Sequence, residues 1–143
     1  MFSKTCEYAI RAIIFIAQQA KDGKRVGIQT IAKGIDSPQY FIAKILQDLS
    51  RKNFVQSAKG PNGGFYLSEQ NLNLKLADIV REVDGNKLFD GCALGLKECS
   101  GEHPCPIHHQ YKHVKEGVRQ ILETSVIRDM ADKLDEELAF LKK

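Results

Sequence analysis

Ile28-Gln29-Thr30-Ile31-Ala32-Lys33-Gly34-Ile35-Asp36-Ser37-Pro38-Gln39-Tyr40-Phe41-Ile42-Ala43-Lys44-Ile45-Leu46-Gln47-Asp48-Leu49-Ser50-Arg51 reads as two helices joined by a turn. In residues 28–33, Ile28, Ile31 and Ala32 share one face, and Gly34 stops the helix as the glycine just past its end. Ser37-Pro38 then reads as an N-cap followed by proline at the first helical position. From residue 38 to about residue 51, Phe41, Ile42, Ile45, Leu46 and Leu49 form a stripe for burial, while Gln39, Tyr40, Ala43, Lys44 and Gln47 face away from it. A short helix, a glycine turn and a second helix with a polar outer face is the helix-turn-helix pattern.

Working outward, residues 54–57 and 65–67 read as short strands flanking Ala58-Lys59-Gly60-Pro61-Asn62-Gly63-Gly64. A glycine-rich hairpin after a helix-turn-helix reads as the wing of a winged helix. A nucleotide loop is excluded, because no helix starts after Gly64 and no Gly-Lys-Ser/Thr follows. Upstream, Tyr8, Ala9, Ala12, Ile13, Ile16 and Ala17 recur at helical spacing over residues 5–20, with Thr5 as a cap and Glu7 in the first turn. Cys6 is expected at this helix start, outside the core. Residues 21–25 read as a charged turn. Residues 74–83 give another helix, with Leu76, Ile79, Val80 and Val83 apolar and a stop near Asp84-Gly85. The expected fold is mainly α with a small β-hairpin: a winged helix-turn-helix domain over 1–84, a cysteine-rich loop over 85–108 and dimerisation helices over 109–143.

The loop carries Cys92, Cys99 and Cys105 as C-x6-C-x5-C, with His108 three residues after the last cysteine. Gly95, Gly101 and Pro104 let the backbone turn between ligands. Thiolates in such a loop can surround one metal centre, and soft sulfur selects zinc, Cu(I) or an iron–sulfur cluster. The spacing lacks the C-x2-C pairs of zinc ribbons and the C-x2-C-x2-C run of bacterial ferredoxins. A metal-free thiol/disulfide switch and a colourless Cys3His zinc site using His108 are the competing readings. An enzyme with Cys105 or Cys92 as nucleophile is more distant, because no base and orienting partner stand out.

After the loop, Tyr111, Val114, Val118 and Ile121 step by three and four residues, an a/d seam two heptads long. Val126, Met130, Leu134, Leu138 and Leu141 continue the pattern as a last amphipathic helix. So short a chain leaves few elements to cover the seam, which favours a second subunit.

The 143 residues suit one compact domain with an appended element. Neither an apolar run of membrane-spanning length nor a signal-peptide pattern occurs, so a cytoplasmic protein without a membrane role is expected. Four cysteines in a reducing compartment then point to ligands or redox thiols rather than structural disulfides. Residues 1–70 hold 10 Lys/Arg against 5 Asp/Glu, a net +5, whereas residues 71–143 hold 11 against 13, a net −2. The basic half is the one expected to meet a polyanion, double-stranded DNA. Ser37 and the N–H groups opening the third helix can hold a phosphate. Gln39, Tyr40, Lys44 and Gln47 project toward the major groove, where Gln pairs with adenine and Lys with guanine. Lys59 and Asn62 sit on the wing, and Lys33, Arg51 and Lys52 are backbone contacts. Two-fold symmetry would make the operator a palindrome with half-sites about one helical turn apart.

These segments resemble the Rrf-two-type bacterial transcription regulators, a family with IscR-like and NsrR-like members. The resemblance rests on Glu7-Tyr8-Ala9-Ile10-Arg11-Ala12, on Ser37 to Phe41 with Leu46 to Lys52, on Lys59-Gly60-Pro61-Asn62-Gly63-Gly64-Phe65-Tyr66-Leu67, and on the cysteine loop ending Cys105-Pro106-Ile107-His108. It implies a homodimer held by the long helix after the loop, and DNA binding by the third helix and wing, with a repressor as the working expectation. It further implies a [2Fe–2S] or [4Fe–4S] cluster on Cys92, Cys99 and Cys105 that senses redox state, nitric oxide or iron–sulfur status. The fourth ligand matches either His108 or, from the partner's first helix, Glu7. Two departures stand out. The first cysteine gap is six residues where the family leads one to expect five, and Cys6 is extra, a further candidate ligand.

Overall fold

A computed structural model describes residues 1–137 and 139–142. The helices are α1 (Lys4–Gln19), α2 (Ile28–Gly34), α3 (Gln39–Arg51), α4 (Glu69–Leu72), α5 (Leu76–Asp84), α6 (Lys87–Asp90), α7 (His108–Thr124) and α8 (Ile127–Asp135), and the strands are β1 (Gln56–Ala58) and β2 (Gly64–Tyr66). The expected fold class is the observed one. Among the described residues no helix is long and apolar enough to cross a membrane.

The core forms around α1, whose Ala9, Ala12, Ile13, Ile16 and Ala17 are buried as their spacing demands. Against them pack α2, α3, α5 and α8. Ile31 of α2 and Ile42, Leu46 and Leu49 of α3 are essentially fully buried, which fixes the helix pair and leaves the polar face of α3 outside. Gly34 closes α2 for a different reason from the one expected. It is the last helical residue, and an added Cβ would lie 2.2 Å from the Phe15 ring, so the glycine is a packing requirement. The left-handed turn falls instead on Asp36, at φ 54°.

The wing pairs antiparallel, with Gln56 opposite Tyr66 and Ala58 opposite Gly64. The sequence does not announce its third partner. Val26 exchanges both backbone hydrogen bonds with Phe65, at 2.9 and 2.8 Å, so the segment read as a charged turn runs into a bridge beside the hairpin. Gly64 makes this possible: it has φ 145°, and a Cβ there would sit 2.8 Å from the Val26 carbonyl oxygen. A second bridge joins Lys75 to Val126 and ties the start of α5 to that of α8. The last helix stops at Asp135; Leu141 lies beyond it, packed against the core, and Leu138 falls outside the described residues.

Two caps differ from expectation. Ser3, not Thr5, caps α1, accepting from the Cys6 N–H at 3.0 Å. Pro38 takes the N-cap position of α3, and the Ser37 Oγ is buried with no hydrogen-bond partner among the described residues. Cys6 requires a larger correction. It is at a helix start and also in the core, fully buried. Burial, then the Asp84 carboxylate to which the thiol hydrogen-bonds, and finally Glu7 push its pKa up to about 12. A raised native pKa means that protonated Cys6 contributes stability below the ordinary thiol range, a contribution lost as pH rises through that range toward 12. At pH 8 Cys6 should hold on the order of a thousandfold less thiolate than a free cysteine. Iodoacetamide on reduced, metal-free protein should therefore modify three cysteines quickly and the fourth only after denaturant is added. Equal rates at all four would contradict the burial.

Candidate nucleic-acid interface and cysteine site

The exposed face of α3 carries Gln39, Tyr40, Lys44 and Gln47, all solvent-facing. Tyr40 is 78% exposed, a large aromatic left outside the core within the basic half. Helix α3 is anchored underneath by Phe41, which packs edge-to-face on Tyr8 at 5.3 Å. Lys59 and Asn62 are exposed on the wing. The cations closing α3 are less free than their sequence suggests. Arg51 pairs with Asp48 at 3.3 Å, and Lys52 bridges Asp48 at 3.3 Å and Glu82 at 2.8 Å. Hydrogen bonds to Glu82 and Asp48 raise the Lys52 pKa, which keeps the ammonium charged, but both carboxylates already engage it. Lys33 is exposed, and its carbonyl accepts from Lys142 Nζ at 3.1 Å.

The loop between α6 and α7 carries the three cysteines and sets Cys99 against His108. Cys92 Sγ accepts from the backbone N–H groups of Leu94 and Leu96, with Cys105 and the Gly95 N–H adding to them, and these donors lower its pKa despite some desolvation. Backbone N–H groups aimed at a sulfur favour thiolate, the form that ligates and reacts. Cys99 Sγ lies 3.4 Å from His108 Nδ1 and accepts from Lys115 Nζ at 3.1 Å. All three cysteines are half-buried and carry free thiols, while His108 is buried at the start of α7. The donor chemistry fits a thiolate-ligated centre: three thiols, an imidazole and N–H groups directed at sulfur. The geometry holds one of these donor pairs, Cys99 with His108. Among the described residues no three Cys, His, Asp or Glu side chains are gathered closely enough to hold a metal ion. Glu7 is half-exposed and pairs with Lys4 at 3.2 Å, and Cys6 is enclosed in the core.

Two residues that motif reading passes over hold the loop's ends. Arg119 donates to the Phe89 carbonyl at 2.7 Å and to Asp90 at 3.2 Å, fixing α6 immediately before the first cysteine. Phe89 is fully buried, with the Arg81 guanidinium 4.0 Å from its ring centroid. Lys115 and Arg119 are four residues apart on α7 and so share a face, a spacing visible in the sequence. The opposite pattern also holds: Val114 and Ile121 are 59% and 61% exposed, and Tyr111 and Val118 are only half-buried. Val118 packs against the core, whereas Val114 and Ile121 of the seam stay uncovered among the described residues.

Comparison with known proteins agrees with this arrangement. The chain is 30% identical over 132 residues to an HTH-type transcriptional regulator of Aquifex aeolicus, covering 91% of this chain and 90% of that protein. A second HTH-type regulator, Rv1287 of Mycobacterium tuberculosis, is 28% identical over 130 residues, covering 90% and 80%. In fold it is similar to T. potens IscR (TM-score 0.73, 20% identity, 97% and 91% covered) and to CymR, the global cysteine regulator of B. subtilis (TM-score 0.72, 18% identity, 92% and 96% covered). A family model described as Rrf2, iron-dependent transcriptional regulator, matches residues 2–133. The family is one of regulators, which sets aside the cysteine-dependent enzyme. With its winged helix-turn-helix and its polar α3 face exposed, the chain belongs to the Rrf2 family of DNA-binding transcriptional regulators.

Proposed function

We propose that this regulator works as a homodimer on a palindromic operator. Its signal is redox state, nitric oxide or iron–sulfur status, read through an iron–sulfur cluster on Cys92, Cys99 and Cys105. His108 is the fourth ligand this reading favours, with Glu7 of the partner subunit as the alternative. The observation that carries it is Cys99, held at 3.4 Å from His108 and at 3.1 Å from Lys115, both on α7. The same helix carries the uncovered Val114 and Ile121, so ligation in the loop and subunit contact bear on one rigid element.

A bound cluster would supply a centre that reacts with oxidants or nitric oxide and that fixes the spacing of its ligands. The rest is the work of the chain's own residues. His108 opens α7, so the position of its ring sets the first turn of that helix. Arg119 holds α6 to α7 one loop-length away. A change in what Cys99 and His108 hold therefore acts on α7, on the subunit contact and on the separation of the two α3 helices. Gln39, Tyr40, Lys44 and Gln47 would read bases, and Lys33, Lys59 and Asn62 would fix the backbone, while Ser37, its Oγ buried and its N–H bonded to Ala32, is left out of that set. Arg51 and Lys52 join them only by giving up part of their pairing with Asp48. Cys6, protonated and enclosed, is left out of the ligand set.

The free, half-buried thiols of Cys92 and Cys105, with Cys92 shifted toward thiolate, favour one second reading, a thiol switch in which an oxidant takes two electrons and two protons from this pair to form a disulfide. Iron, zinc and sulfide analysis with a visible spectrum on anaerobically purified protein separates the two. The expected result is visible absorbance with stoichiometric iron and sulfide, abolished by Cys99→Ala. No iron, with two thiols lost on oxidation, would move the sensing to the disulfide, and zinc alone would move it to a Cys3His site.

The subunit contact has its own test. Val114→Glu with Ile121→Glu should convert the dimer to a monomer in sedimentation at micromolar concentration, with the helical circular dichroism retained. A wild-type monomer under the same conditions would contradict the dimer.

A further inference from the structure

Beside the wing lies an open groove of about 560 Å³, between the hairpin tip and the connector that joins α1 to α2. Gln19, Lys24, Arg25, Thr30, Pro61 and Asn62 line it, and no carboxylate does. The Val26–Phe65 bridge holds the connector in place, so Lys24 and Arg25 run alongside the wing rather than swinging free of it. The Arg25 guanidinium stands 5.3 Å from the Tyr66 ring centroid and reaches the Asn62 carbonyl through one long hydrogen bond of 3.5 Å. That leaves most of its five N–H donors unengaged.

The contrast with neighbouring cations is what gives the groove meaning. Lys21, on the same connector, is paired with Asp135, and Arg51 and Lys52 are paired with Asp48. Lys24 and Arg25 are exposed and form no ion pair among the described residues. Two unneutralised cations on a braced backbone, facing a groove without acids, suit a polyanion that passes the wing tip.

We infer that Lys24 and Arg25 form a second phosphate-binding arm, which grips the sugar–phosphate backbone of double-stranded DNA beside the wing. This rests on the DNA-binding reading and extends it to a segment outside α3 and the hairpin. Arg25 has two duties: it stacks on Tyr66 to brace the wing and offers its outer N–H groups to a phosphate. Lys24 has only the second.

The test is the salt dependence of binding to a labelled mixed-sequence DNA duplex, followed by fluorescence anisotropy. Each phosphate contact contributes about 0.9 to the slope of log affinity against log salt. Lys24→Ala and Arg25→Ala should each make the slope shallower by about 1. Arg25→Lys should keep the wild-type slope, and so should Lys21→Ala, whose ammonium is already paired. Lys24→Ala touches nothing in the wing, so its result stands even if Arg25→Ala disturbs the hairpin. Wild-type slopes for both alanine variants would overturn the arm while leaving DNA binding by α3 and the wing intact. Absence of duplex binding by the wild-type protein would overturn the DNA-binding reading itself.

Discussion

Helix α1 is the element against which the rest of the molecule is built. One apolar flank of it, from Cys6 to Ala17, meets α2, α3, α5 and α8. Burying that flank is worth more than any polar contact in the chain, at roughly 1.5–3 kcal/mol for each large side chain removed from water. The consequence is geometric. The reading face of α3, the wing and the helices that follow the cysteine loop are all positioned relative to one rod. Its N-terminus is tied as well: the Ser3 N–H donates to Asp84 at 2.8 Å, and the Ser3 hydroxyl and the Cys6 thiol also engage that carboxylate at the end of α5.

From Asp84 the chain passes through Gly85 and α6 directly into the cysteines. The loop is therefore suspended between two fixed points. One is Phe89 with its Arg81 and Arg119 contacts; the other is the first turn of α7 at His108. Between them there is little apolar burial, and Leu94 and Leu96 stay exposed. Such a segment has few packing contacts to compete with a ligand for its conformation. The anchors, by contrast, are fixed by packing and hydrogen bonds at both ends of the loop.

Much of this was legible in the sequence because periodicity reports burial. The stripes of α1, α3 and α5 predicted the core, and the glycine-rich hairpin after a polar-faced helix predicted the wing. Cys6 lies three residues before Ala9 and seven before Ile13, on the same stripe, but its polar neighbours Lys4 and Glu7 hide it. A single bridging residue such as Val26 has no period to read, and four-residue helices such as α4 and α6 leave none either. For the site, the sequence supplied the donor types but not their pairing. That Cys99 faces His108 depends on where α7 begins. Ion pairing is similarly hidden. Arg51, Lys52, Lys24 and Arg25 look alike as letters, and only the fold separates the paired from the free.

The central claim is that ligation at Cys99 and His108 acts through α7 on the spacing of the two reading helices. The most direct measurement is the operator affinity of one preparation before and after its iron is removed anaerobically, at fixed salt, using a duplex selected from random sequence. Coupling through α7 predicts at least a tenfold difference in Kd between the two forms, about 1.4 kcal/mol, with both forms equally dimeric. Equal affinities, with iron demonstrably bound in one form and absent from the other, would show that the loop and the DNA-binding face are not coupled.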